Sequence, residues 1–397
     1  MVLSKGLFYC ILFLYVYGPP FTSLPINISS LIMIPVALMV FSQRNSATRK
    51  LLVSKQALVL GITLIYLLLV STYGSIVLSA SFIVLICANI PTAAFVVQLS
   101  ARYGRDFFLQ AIINIAFFSS LLSIALLFSP EFNEILKFEI LKYDSEMMQY
   151  QLFRGFGLSD ELLFSYSIAQ SIAFYVCLNF RMSMSRKTIY LAAMFVSIVV
   201  NAKIGIVFIL FALLMKLLDG TVRMQIKILF ISGAALVAYL IHSTFDSDVI
   251  LVVQLQAFLN EISLGGLDNE VELSIETLFS DMFFLPRGLL TQLFGDGSYV
   301  FASNSVREAS DSGWVILLHF GGVFLVSVVL LMLLAISVRL YSVGQGHLAI
   351  FLAVIFVVAN MKGLLLAPKP GMRMFLLCYF YLVCNCSLKS YTGRLRT

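Results

Sequence analysis

A chain of 397 residues that is 60% hydrophobic and only 12% charged excludes a string of soluble domains and belongs with polytopic membrane proteins. The formal net charge of +6 follows the connections between apolar runs and forms no basic patch, so nucleic acid has no place in the account. Six cysteines (Cys10, Cys87, Cys177, Cys378, Cys384, Cys386) lie in or beside apolar runs and the three histidines are scattered, so neither a disulfide framework nor a metal-ligand cluster is expected.

In chain order, Lys5 precedes an apolar run that ends at Gly18-Pro19-Pro20 without a small-residue cleavage site, which predicts a retained first span. Apolar runs at approximately 6–18, 29–42, 57–71, 76–98, 108–128, 161–180, 188–200, 204–217, 228–243, 313–338, 348–361 and 373–388 predict an all-α transmembrane bundle of 12 spans. Many approach the ~20 apolar residues that cross about 30 Å of hydrocarbon. The chain reads as a single integral membrane domain over 1–397, with two long polar connections at about 129–160 and 244–312.

Orientation follows the Lys/Arg bias. With the N-terminus inside, 17 of the 26 basic residues fall on the cytoplasmic side, and of the 20 acidic residues only Asp106 and Asp219 do. Both termini are then cytoplasmic and both long loops face outward. The segment Lys187–Leu217 is broken only by Asn201-Ala202-Lys203. One straight helix would be too long and would put basic clusters on opposite sides, so two short spans with a recessed junction are expected. Lys203 would then be a cation held at depth.

Nine cations fall outside: Lys137, Lys142, Arg154, Lys203, Arg287, Arg307, Lys362, Lys369 and Arg373. They read either as snorkelling at helix ends or as a cluster around a diphosphate, for which Arg gives two-pronged geometry and Lys a point charge. The connection KGLLLAPKPGMR (362–373) is stiffened by Pro368 and Pro370 and brings Lys362, Lys369 and Arg373 to the outer rim. Arg154 stands in QLFRGFGLSDELLF, either a surface charge or part of a loop shaped by Gly155 and Gly157. Asp160 and Glu161 complement the dipole of the next span. The stretch LPRGLLTQLFGDGSYVFASNSVREASDSGW (285–314) carries Arg287, Asp296 in a Gly-Asp-Gly turn, Arg307, and Asp311 just ahead of a span. Asp311 reads either as a cap or as a carboxylate able to deprotonate an incoming hydroxyl.

RGFGLS (154–159), NAKIG (201–205), FGDGSY (294–299), DSGW (311–314) and NMKGLLLAPKPGMR (360–373) together resemble the O-antigen polymerase (Wzy) family of the bacterial inner membrane. The resemblance covers the chain from about 150 to its end. It implies a GT-C-like glycosyltransferase of lipopolysaccharide biosynthesis, metal-independent and without cofactor. Such an enzyme joins undecaprenyl-diphosphate-linked oligosaccharide repeat units at the periplasmic face, among membrane lipids and with a chain-length regulator as partner. The roles it implies are Asp311 and Arg287 in catalysis and Arg154, Lys203, Gly205, Arg307, Lys362 and Arg373 in substrate binding. The family more often shows Arg-Thr-Gly where this chain has Lys203-Ile204-Gly205, which keeps charge and loses bidentate recognition.

A flippase for the same lipid-linked oligosaccharide is the alternative. It would have short outer loops and cations along a central cavity, and a coupled carrier would place carboxylates at the midplane, where these spans carry none. A ligase would place a histidine in the large outer loop, whereas His242 only touches its edge and His319 falls within a span.

Overall fold

The computed structural model describes residues 4–21, 23–24, 27–42, 55–104, 106–141, 158–160, 164–218, 283–300, 310–342 and 346–394. Among these the chain is helical, without a strand; one isolated bridge joins Phe21 to Leu141. The helices are α1 (Lys5–Val16), α2 (Ile28–Ser42), α3 (Lys55–Ser71), α4 (Ile76–Val84), α5 (Ile90–Ser100), α6 (Phe107–Leu127), α7 (Pro130–Ile135) and α8 (Phe164–Asn179). They continue with α9 (Met184–Asn201), α10 (Lys203–Leu218), α11 (Leu289–Phe294), α12 (Gly313–Ser342), α13 (Gly346–Lys362) and α14 (Pro370–Arg394). A π turn at Leu85–Asn89 joins α4 and α5 into one rod.

Eleven of the twelve apolar runs coincide with helices to within a few residues; the run at 228–243 lies outside the described residues. Three helices, Ile76–Tyr103, Phe107–Leu126 and Gly313–Ser342, are long and apolar enough to cross a membrane, and six shorter apolar helices accompany them. The outer surface is apolar in the sense a bilayer requires. The most apolar window of Gly313–Ser342 is only 22% buried. Large side chains such as Leu38, Ile65, Leu69, Leu210, Leu331 and Leu334 stand exposed on the outer helix faces. A soluble protein would bury such residues. This is the build of a helical membrane protein.

The interior inverts the pattern. Every residue of α8 from Ser165 to Leu178 is buried, and so is α14 from Pro370 to Val383. The central helix α8 carries small and polar side chains, which suit close helix contact where no water competes. Tyr166 shares a hydrogen bond with Ser197 (2.9 Å) and accepts one from Ser119 (3.3 Å). Ser120 donates to Gln170, which donates to the Tyr17 hydroxyl, and Asn201 donates to Ser123 (3.0 Å). Helices α6, α8 and α9 and the end of α1 are thus joined by buried hydrogen bonds, each contributing roughly 0.6 kcal/mol in a membrane setting.

The break inside Lys187–Leu217 occurs where the sequence places it. Ala202 is extended (φ −161°, ψ 132°), ending α9 and letting α10 begin at Lys203. Asn201 is buried and bonded to Ser123, about one turn before the end of α6, so the junction is recessed. Gly205 packs α10 against α9 and α8: an added Cβ would lie 2.3 Å from Ile198 Cγ2 of α9 and 3.1 Å from Ser167 Cβ of α8. Gly205→Ala is therefore expected to cost about 1–3 kcal/mol by overpacking. Thermal unfolding of the detergent-solubilised protein checks this, with Ile198→Ala relieving part of the loss.

The two ends of the bundle differ in charge. At one, Lys5 lies over the Phe107 ring, Lys187 donates to the Leu178 carbonyl and Lys216 donates to Asn179. At the other meet the ends of α1, α8, α12, α13 and α14, with Asp160, Asp311, Lys362, Lys369 and Arg373.

Candidate functional site

Two of the sequence motifs meet the start of α8 at that second end. The DSGW stretch docks on the end of α13. Ser312 Oγ donates to the Asn360 carbonyl (3.4 Å), Trp314 donates to the Val357 carbonyl (3.1 Å), and a Cβ on Gly313 would sit 2.5 Å from the Gly363 carbonyl oxygen. Asn360 in turn accepts from the Leu365 amide and donates to the Phe356 carbonyl, which fixes the start of the 363–370 turn. That turn leads into α14, where the Gly371 amide donates to Ser165 Oγ (2.9 Å) at the start of α8. Asp311 is half-buried just ahead of α12, Lys362 is exposed in the last turn of α13, and Lys369 is half-buried.

Arg373 does not stand at the rim. It is 2% exposed, and its guanidinium forms a 2.8 Å ion pair with Asp160, which is itself buried. It also donates to the carbonyls of Val16 (3.1 Å) and Pro368. The Asp160 amide donates to the Tyr17 carbonyl (2.7 Å), so one ion pair ties the ends of α1, α8 and α14 together. Asp160 thus answers a buried cation and does more than face a helix dipole. Leu158, two residues before it, has φ +66°, a conformation that costs a non-glycine residue roughly 1–2 kcal/mol. Arg373 Nε and Asp160 Oδ1 have no hydrogen-bond partner among the described residues.

The FGDGSY stretch makes a second centre, deeper in the bundle. Helix α12 is broken at Gly322 (φ 64°, ψ −171°), about 13 Å from its start at 1.5 Å per residue. The loop after α11 fills the break. A Cβ on Gly322 would meet the Leu293 carbonyl oxygen at 2.3 Å, and one on Gly295 would meet the Phe320 carbonyl oxygen at 2.5 Å. The kink frees backbone carbonyls that a bilayer cannot satisfy. Tyr66 of α3 donates to the carbonyls of Gly321 (2.8 Å) and Phe294 (2.6 Å), and the Asp296 amide donates to that of His319 (2.8 Å).

Side chains converge there too. Asp296 Oδ1 accepts from the Ser298 amide (2.8 Å), the turn its Gly-Asp-Gly setting predicts, while Oδ2 lies 3.9 Å from His319 Nδ1. The carboxylate is 46% exposed, whereas the imidazole is 8% exposed and packs edge-on against Phe284, ring centroids 4.9 Å apart. His319 Nε2 is buried without a partner among the described residues, a state that costs about 1–3 kcal/mol. Sequence reasoning passed over His319 as a lone histidine in an apolar run; the paired Gly321-Gly322 two residues later was the signal of a break in the helix.

Of the remaining expected site residues, Arg287 is exposed in the turn ahead of α11. Arg154 and Arg307 lie outside the described residues, as do half of the first long loop and most of the second, and Lys203 opens α10. Gly205 serves helix packing. Among the described residues no group of three or more His, Cys, Asp or Glu side chains could hold a metal ion. No protein-family model matches the chain, and neither a curated protein nor a solved structure does.

Proposed function

We propose that the chain is a glycosyltransferase of the bacterial inner membrane that polymerises undecaprenyl-diphosphate-linked oligosaccharide repeat units at the outer face. The observation that carries this reading is the meeting of DSGW, the 360–373 turn and the start of α8 at the less basic end of an all-helical bundle. With the Lys/Arg-rich end in the cytoplasm, that end faces the periplasm, both termini are cytoplasmic and 12 spans result. The bundle then has GT-C character, with its chemistry in outward connections held by a membrane scaffold.

Reaction at this end requires cations for the departing diphosphate and a carboxylate for the acceptor hydroxyl. Arg287, Lys362 and Lys369, joined by Arg154, Lys203 and Arg307, supply the first; Asp311 is the carboxylate at this end, and Asp296 stands in the second centre beside His319. Arg373 holds the platform under them through Asp160. Catalysis proceeds without metal, and a chain-length regulator is the expected partner in the membrane. The flippase alternative shares the lipid substrate and would need open cations along a central path; among the described residues the buried arginine, Arg373, is engaged by Asp160.

A complementation gel tests the reading. Deletion of the gene in its host is expected to leave surface lipopolysaccharide with a single repeat unit. Wild type should restore a ladder, and Arg287→Ala or Lys362→Ala should shorten or abolish it. Loss of even the single-repeat band on deletion would point to export or ligation and end the polymerase reading.

A further inference from the structure

We infer that Asp296, positioned by His319, is the proton acceptor that activates the sugar hydroxyl; the inference rests on the polymerase reading. The helix break at Gly322 is the starting point. A span is broken at depth only where a partner element or ligand refills it, and such breaks mark binding sites in membrane proteins. Here the freed carbonyls of His319 and Gly321 are already taken by the Asp296 amide and the Tyr66 hydroxyl. They are not left to coordinate a cation. What the break leaves open is a half-exposed carboxylate with an almost wholly buried imidazole 3.9 Å behind it, whose Nε2 has no partner among the described residues.

The loop is also held more tightly than a simple turn requires. Gly295, Gly297 and Gly322 all have positive φ, and each sits where a Cβ would meet backbone within 2.3–2.5 Å. The Ser75 amide adds a 2.7 Å hydrogen bond to the Gly297 carbonyl. A backbone fixed by close contacts at three glycines, beside an ionisable pair, is suited to pre-positioning a reacting group. Asp311, by contrast, stands at a helix start with no such backing.

The step balances as follows. The acceptor hydroxyl oxygen bonds to the donor's anomeric carbon, and the bond from that carbon to the diphosphate oxygen breaks with both electrons leaving on the diphosphate. The hydroxyl proton passes to Asp296 Oδ2 and from its exposed side to water. His319 touches neither sugar; it orients the carboxylate from behind.

The test uses the purified full-length chain in lipid nanodiscs, with undecaprenyl-diphosphate-linked repeat units extracted from the deletion host. Asp296→Asn keeps an oxygen for the Ser298 amide, so it should unfold at the wild-type temperature. Its turnover is expected to fall ~100-fold or more, with KM for the lipid-linked unit unchanged, while Asp296→Glu recovers part of the rate. His319→Gln should slow turnover by a smaller factor, and the double variant should be no slower than Asp296→Asn alone. Near wild-type turnover by Asp296→Asn, or loss of turnover in Asp311→Asn instead, would overturn the inference and leave the polymerase reading standing. A wild-type chain that elongates nothing would overturn both.

Discussion

Replacing Asp160 by Ala is expected to destabilise the protein by about 3–5 kcal/mol, because it leaves the Arg373 guanidinium charged and buried without its counter-ion. The pair is 2.8 Å long, with side chains 1% and 2% exposed, so neither solvent nor salt can replace the lost partner. Arg373→Ala should cost a similar amount by stranding Asp160, and would also remove the donors to Val16 and Pro368. The two single losses should not add. An Asp160→Asn/Arg373→Met double variant, which removes both charges, should recover much of the stability, since a buried ion pair contributes little over a matched neutral pair. Thermal unfolding in detergent checks the set. Equal, additive losses of less than about 1 kcal/mol would mean the pair is solvated in the membrane-embedded protein.

The second large effect is at Gly322. An alanine there would have to hold φ near +64°, which costs roughly 1–2 kcal/mol, and its Cβ would lie 2.3 Å from the Leu293 carbonyl oxygen. Backbone cannot swing aside as a side chain does, so the loop must leave the kink. The expected outcome is a loss of about 2–5 kcal/mol, summing this strain with the usual overpacking cost. Exchange of the Asp296 and Ser75 amides should also become faster, because the Asp296-to-His319 and Ser75-to-Gly297 bonds go with the loop. Hydrogen exchange by mass spectrometry reads this directly. Unchanged protection in Gly322→Ala would show that the loop is held by something other than the break.

Much of the scaffold was legible in the sequence because bilayer thickness and helix rise leave few options for an apolar run. The break at Ala202 was legible for the same reason, helped by the basic clusters on either side of Lys187–Leu217. The site was legible only as a set of motifs. That Arg373 pairs with Asp160, 213 residues away, depends on how α8 and α14 pack, and nothing local in APKPGMR signals it. By local rules Arg373 belonged at the rim with Lys362 and Lys369. The resemblance puts Gly205 among the substrate-binding residues, and nothing in the local sequence signals that it also packs closely against Ile198 and Ser167. Asp296 was read correctly as a turn residue, but the second use of its carboxylate needs His319, which lies on the far side of a loop and inside a span.

The central claim is that this bundle joins lipid-linked repeat units at its less basic end. The most direct test supplies the purified chain, in sealed lipid vesicles, with undecaprenyl-diphosphate-linked repeat units on one side. The account predicts products at successive multiples of the repeat unit, one undecaprenyl diphosphate released per bond formed, and no loss of rate on chelation of divalent metal. Transfer of the intact lipid-linked unit to the opposite leaflet, without any longer product, would contradict it.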